Sequence, residues 1–109
     1  MSAPVAIPQF KQEGAPLLVP SDLKAQFFVL ERGGTIARPT IVTKRVGPSG
    51  TTFSRREYDC AARTVRYLGT GESMTEMNAG SPDPNMAPIV DGAIADYVGR
   101  AACKVPGRA

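Results

Sequence analysis

The run Lys24–Val46, KAQFFVLERGGTIARPTIVTKRV, decides the fold class. Its first eight residues, Lys24–Glu31, carry apolar groups on both faces of an extended chain, with Phe27 and Val29 on one and Phe28 and Leu30 on the other. That suits a strand covered on both sides. Gly33-Gly34 follows at once and predicts a hairpin turn. Thr35–Val46 then reads as the return strand. It is dense in β-branched residues (Thr35, Ile36, Thr40, Ile41, Val42, Thr43, Val46), and Pro39 predicts a bulge or an edge position because it lacks a ladder donor.

Outward from this hairpin the strand pattern continues. Gly47-Pro48-Ser49-Gly50 reads as a turn. Thr51–Cys60 alternates, with Ser54, Arg56, Tyr58 and Cys60 on one face and Phe53, Arg55, Glu57 and Asp59 on the other. Ala61-Ala62 makes a tight connection to Arg63–Leu68, where Val65 and Tyr67 lie opposite Thr64, Arg66 and Leu68. Upstream, Pro4, Pro8, Pro16 and Pro20 predict an irregular arm over residues 1–22, with one short edge segment around Leu17–Val19.

Downstream, Gly69–Pro88 is polar and reads as a long loop containing one more strand near Glu72–Met77, with Met74, Met77 and Met86 filling the space beneath it. Asp91 is expected to cap a helix over Gly92–Cys103 whose stripe is Ile94, Val98, Ala101 and Ala102, with Tyr97 at its border. Pro106-Gly107 stops it, leaving residues 105–109 as a disordered tail. The expected fold is α+β and mainly β. It is one domain over 23–104, an antiparallel curved sheet of five to six strands with the C-terminal helix packed on one face.

The 109 residues suffice for one domain with a modest core. Ten prolines and eleven glycines exclude a helical bundle. With no histidine, Ser-His-Asp and Cys-His catalysis and every histidine-containing metal site are excluded. Two cysteines cannot build a four-ligand zinc site alone, and no calcium-loop pattern is present, so no metal or cofactor is expected. Gly69-Thr70-Gly71-Glu72-Ser73 lacks the Lys-Ser/Thr ending and following helix of a phosphate loop and reads as a turn. Glu57 and Asp59 sit beside Arg55 on one strand face, which is an ion-pair ladder rather than an acid/base pair, so no enzyme is expected.

Charge is divided along the chain. Between Arg38 and Arg66 seven basic residues (Arg38, Lys44, Arg45, Arg55, Arg56, Arg63, Arg66) meet only Glu57 and Asp59. From Glu72 to Asp96 there are five acidic residues and no basic one. The basic strands are a candidate binding surface for an anionic ligand or an acidic protein partner. The plainer alternative is a solvated face whose charges pair across strands. Aromatics are too sparse among these arginines for nucleic acid stacked on the sheet, so nucleic acid is not the expected partner. The acidic segment is expected either to fold over the basic strands or to meet those of a second copy in a homodimer.

Cys60 ends an expected strand and Cys103 an expected helix. A bridge would close a long loop, worth roughly 4 kcal/mol, whereas two buried thiols would suit a cytosolic protein. Cys103 lies opposite Ile94 on an ideal helix, so a bridge is expected to require an unwound last turn or a tilted helix. No run approaches the length of about 20 apolar residues that a membrane span needs. Met1–Pro8 shows no basic or long apolar leader region.

Glu31-Arg32-Gly33-Gly34-Thr35-Ile36, then Tyr58-Asp59-Cys60, Arg63-Thr64-Val65-Arg66-Tyr67-Leu68 and the terminal Ala101-Ala102-Cys103-Lys104, form an ordered set. Over residues 24 to 104 it resembles the bacterial surface-adhesin protein E family. The resemblance implies a curved antiparallel sheet with the helix on its concave side. It also implies a disulfide between Cys60 and Cys103 and an exported protein, periplasmic or secreted and often dimeric. Named members of that family act as adhesins for host proteins. Met86–Asp91 departs from the pattern in lacking a Trp and a Ser. The expected function is therefore a non-enzymatic, exported binding or structural domain. The alternative is a cytoplasmic accessory protein that grips an acidic partner or nucleic acid through its basic strands.

Overall fold

The computed structural model describes residues 14–104. The expected arm up to residue 13 and the tail 105–109 lie outside the described residues. Six strands form one sheet in the order of the chain, each antiparallel to the next. They are β1 (Ala15–Leu17), β2 (Gln26–Gly34), β3 (Pro39–Gly47), β4 (Gly50–Asp59), β5 (Thr64–Gly71) and β6 (Ala87–Pro88). Helix α1 (Met74–Ala79) lies between β5 and β6, and α2 (Ile94–Cys103) follows β6. Strands adjacent in the sheet are consecutive in the chain; short turns join β2 through β5, and the longer link from β5 to β6 carries α1.

Gly33-Gly34 is not the first turn. Both residues stay in the ladder, opposite Thr40 and Pro39, and the loop is Thr35–Arg38. The loop is closed by Thr35 N–H donating to Arg38 O at 3.2 Å and by the Thr35 hydroxyl accepting from Arg38 N–H at 3.0 Å. Gly34 has φ 73°, which a side chain would resist. Pro39 carries no bulge; it is buried at the first position of β3, where a missing N–H costs least. The bulges fall instead on β2 between Val29 and Glu31 and on β5 opposite Arg55/Arg56. Extra residues there bend the sheet. The Pro48-Ser49 turn and the β4 face pattern are as expected, with Ser54, Arg56 and Tyr58 buried. The edge strand β1 begins two residues before the expected Leu17–Val19, and its Pro16 is tolerated because one side of an edge strand needs no donor.

The register fixes two faces. Ile41, Arg56 and Tyr67 are cross-strand partners, as are Val29, Thr43 and Ser54, so these side chains share the face that meets α2. The core is Val29, Ile41, Tyr58 and Val98, with Leu17, Val65, Ile89, Ile94, Ala101 and Ala102 packed around it. Tyr58 is fully buried, and its hydroxyl donates to Ala95 O at 2.7 Å. Gly99 lets the helix lie on that ring; a Cβ there would stand 2.6 Å from Tyr58 Cε2. The helix thus buries a wider arc than its apolar stripe, because Gly99, Asp96 and Cys103 also turn inward.

Two expectations for the C-terminal half are corrected. Glu72–Met77 is not a strand: Ser73 caps α1, its hydroxyl accepting from Glu76 N–H at 3.1 Å while the Glu76 carboxylate accepts from Glu72 N–H at 2.7 Å. This Ser-x-x-Glu capping signature outweighs the strand pattern. A helix therefore does follow Gly69-Thr70-Gly71, and these glycines serve packing. A Cβ on Gly71 would stand 2.7 Å from Met77 N, so α1 rests directly on the sheet face opposite α2, with Met77 buried. Nor does Asp91 cap α2. The helix starts at Ile94 with Ala93 at the N-cap, and Asp96 reaches back to accept from Gly92 N–H at 2.9 Å.

Candidate functional site

Cys60, in the turn after β4, is bonded to Cys103, the last residue of α2, with their Cα atoms 5.8 Å apart. The helix stays wound through Cys103, so the expected unwinding is not needed. Because the helix lies on Gly99, the side of α2 that carries Cys103 is turned toward the sheet end.

A cavity of about 430 Å³ opens beside this bond. Cys60 and Cys103, Ile89 and Gly99 form its apolar wall, and Arg63, Asp96, Arg100 and Lys104 supply its charge. Arg63 reaches it from the Cys60–Arg63 turn with φ 56°, a left-handed conformation that costs a non-glycine residue about 1 kcal/mol. Its guanidinium is 3.2 Å from Asp91 and 3.8 Å from Asp96. Arg100 grips Asp96 with two bonds, 3.3 and 3.0 Å, and lies 4.8 Å over the Tyr97 ring. Asp96 is only 2% exposed. The Gly92 N–H and the Arg100 guanidinium hold its carboxyl below the usual carboxylate value, outweighing burial. Burial pushes the Tyr58 hydroxyl above its usual value.

The seven basic residues do not form one surface. Arg45 and Arg56 share the α2 face, Lys44, Arg55 and Arg66 lie on the other, and Arg38 and Arg63 sit in connections. Carboxylates of the same chain meet most of them. Glu57 takes both Arg38 (3.4 Å) and Arg66 (2.7 Å), Asp22 takes Arg45 (2.8 Å), and Glu31 takes Arg55 (3.3 Å). Lys44 is engaged as well. Arg56 is buried without a carboxylate among the described residues, bonded to Thr43 Oγ1 at 3.0 Å and stacked on Tyr67. From the acidic segment, Asp91 and Asp96 form ion pairs with this basic stretch, both through Arg63.

Cys60, Cys103 and Arg63 stand out in the sequence; Asp96, Arg100, Ile89 and Lys104 do not. The signal for two of them is present, since Asp96 and Arg100 are an i,i+4 acid–base pair on one helix. Among the described residues no group of three or more His, Cys, Asp or Glu side chains is placed to hold a metal ion, and no helix is long and apolar enough to cross a membrane. No protein-family model matches the chain, and neither a curated protein nor a solved structure does.

Proposed function

We propose that this chain is a non-enzymatic binding or structural domain that works in an oxidising compartment, periplasmic or extracellular. The observation that carries the reading is the Cys60–Cys103 bond, which ties the only long helix among the described residues to the sheet. Such bonds persist where thiols are not kept reduced. The resemblance to surface-adhesin protein E points the same way and suggests a protein ligand and a homodimer. The competing reading, a cytoplasmic protein that holds an acidic partner through its basic strands, has less to draw on. Most of those cations already meet a carboxylate of their own chain.

Thiol trapping in cells that carry the whole gene tests the compartment. Protein alkylated before lysis should resist modification until it is reduced, and should fractionate outside the cytoplasm. Full alkylation of Cys60 and Cys103 without reductant would sink the reading.

A further inference from the structure

We propose that the cavity beside the disulfide is a binding site for a small organic carboxylate with an apolar body. The inference rests on reading the chain as a binding domain but not on its being exported.

Three cations line the cavity against one buried carboxylate, Asp96. That carboxylate spends only part of their donor capacity. A guanidinium carries five N–H donors; Arg100 gives two bonds to Asp96, and Arg63 gives one short bond to Asp91. The Lys104 ammonium has no bond among the described residues. Arg100 is already fixed in place by Asp96 and the Tyr97 ring, so a ligand need not order it. Arg63 is brought to the rim by a strained left-handed backbone, the kind of outlier that gathers at functional sites.

Asp91 is the weak lock. Its side chain is 95% exposed, so its hold on Arg63 is screened by water and easily exchanged for a ligand carboxylate. Such a carboxylate can bridge Arg63 and Arg100 with charge-assisted bonds. Its apolar part would lie on Ile89, the Gly99 backbone and the disulfide. The volume, about 430 Å³, falls in the range of small-molecule sites. An acid with no apolar body would leave that wall wet, and a neutral isostere would leave the guanidinium edges without their anion.

Titrating isotope-labelled, oxidised protein with 3-phenylpropanoate tests this by NMR. Saturable shifts are expected at the amides of Ile89, Gly99 and Cys103, with binding about tenfold weaker for 3-phenylpropanamide and for acetate. Arg63→Gln should weaken binding by a similar factor, and Asp91→Asn should tighten it by removing the competitor. Because both residues are exposed, both variants should keep the parent spectrum elsewhere. The absence of saturable shifts at millimolar ligand, equal binding of the amide, or weaker binding by Asp91→Asn would each overturn the proposal. The thiol state in the cell is measured separately, so failure here leaves the compartment reading standing, and the reverse.

Discussion

The two faces of the sheet are covered in different ways. On one, α2 lays Val98 and Ile94 on Tyr58 and Ile41, and a covalent bond fixes its end. On the other, the six-residue α1 rests on glycines and buries Met77, Val42 is buried, and ion pairs join Arg55 to Glu31 and Arg66 to Glu57. The first face is held mainly by buried apolar area and a cross-link, with the Asp96 and Arg45 ion pairs at its margins. The second is held by close approach and by charges half in water. The difference teaches that most of the stability should reside on the α2 face, and that the many charges add little to it.

The largest expected effect is therefore Val98→Asp. Val98 is fully buried and two residues from the buried Asp96, so the new carboxylate would be shut off from water and close to a like charge. A loss of about 5 kcal/mol is expected, enough to unfold a domain of this size. Urea denaturation reads it. An unchanged midpoint would mean that α2 is not docked through this residue.

Next comes the bond itself. Cys60 and Cys103 are 43 residues apart, and replacing both by alanine should cost about 4 kcal/mol on the chain-entropy account. Intact mass of the unreduced protein, two protons below that of the reduced form, checks that the bond is present. A double variant with parental stability would show that packing alone fixes the helix and would erase half of the contrast between the faces.

The strands and α2 were legible in the sequence because their signals are local: alternation over Thr51–Cys60, the Gly47–Gly50 turn, and the stripe of Ile94, Val98, Ala101 and Ala102. Errors arose where a tertiary contact or a backbone bond outweighed composition. Gly33-Gly34 looks like a turn, but the Thr35 hydroxyl closes the loop further on. Asp91 looks like a cap, but the helix starts only at Ile94, and Asp96 instead holds the Gly92 N–H just ahead of it. Of the cavity, the cysteines and Arg63 were visible. Ile89 and Lys104 were not, because only the folding of β6 and α2 onto the β4–β5 turn brings them there.

Gly71→Ala probes the second face where α1 meets the sheet. The added Cβ would stand 2.7 Å from the Met77 amide nitrogen. The backbone of α1 must move to admit it, at a cost of about 1–3 kcal/mol. Amide exchange should quicken in Met74–Ala79 and not in Ile94–Cys103. Faster exchange in both helices would mean that the two faces unfold as one unit.

Acid should reach the first face only at an extreme. The Asp96 carboxyl is held below its ordinary value of 3.8 by Gly92 and Arg100. A carboxyl with a lowered value adds stability that is complete above the ordinary value and is lost as pH falls through the lowered one. The parent should therefore lose stability below about pH 4 more steeply than Asp96→Asn does. Parallel curves for the two proteins would show that this carboxylate adds nothing.

The smallest effect belongs to the ion pair Arg55–Glu31. The groups lie 3.3 Å apart, with 30% and 54% of their side chains exposed. Water and salt screen such a pair, and two long side chains lose entropy in holding it, so exposed pairs give about 0.2–1 kcal/mol. Arg55 also donates to Asn78 Oδ1 at 2.8 Å, which links β4 to α1. A single Arg55→Gln substitution therefore mixes two interactions, and a double-mutant cycle with Glu31→Gln is needed to isolate the pair. The coupling should lie at or below about 1 kcal/mol and shrink in about 1 M salt, where the screening length falls to about 3 Å. A larger coupling that survives salt would mean that the charges of the second face form a cooperative network. The contrast between the faces would then be one of kind and no longer one of strength.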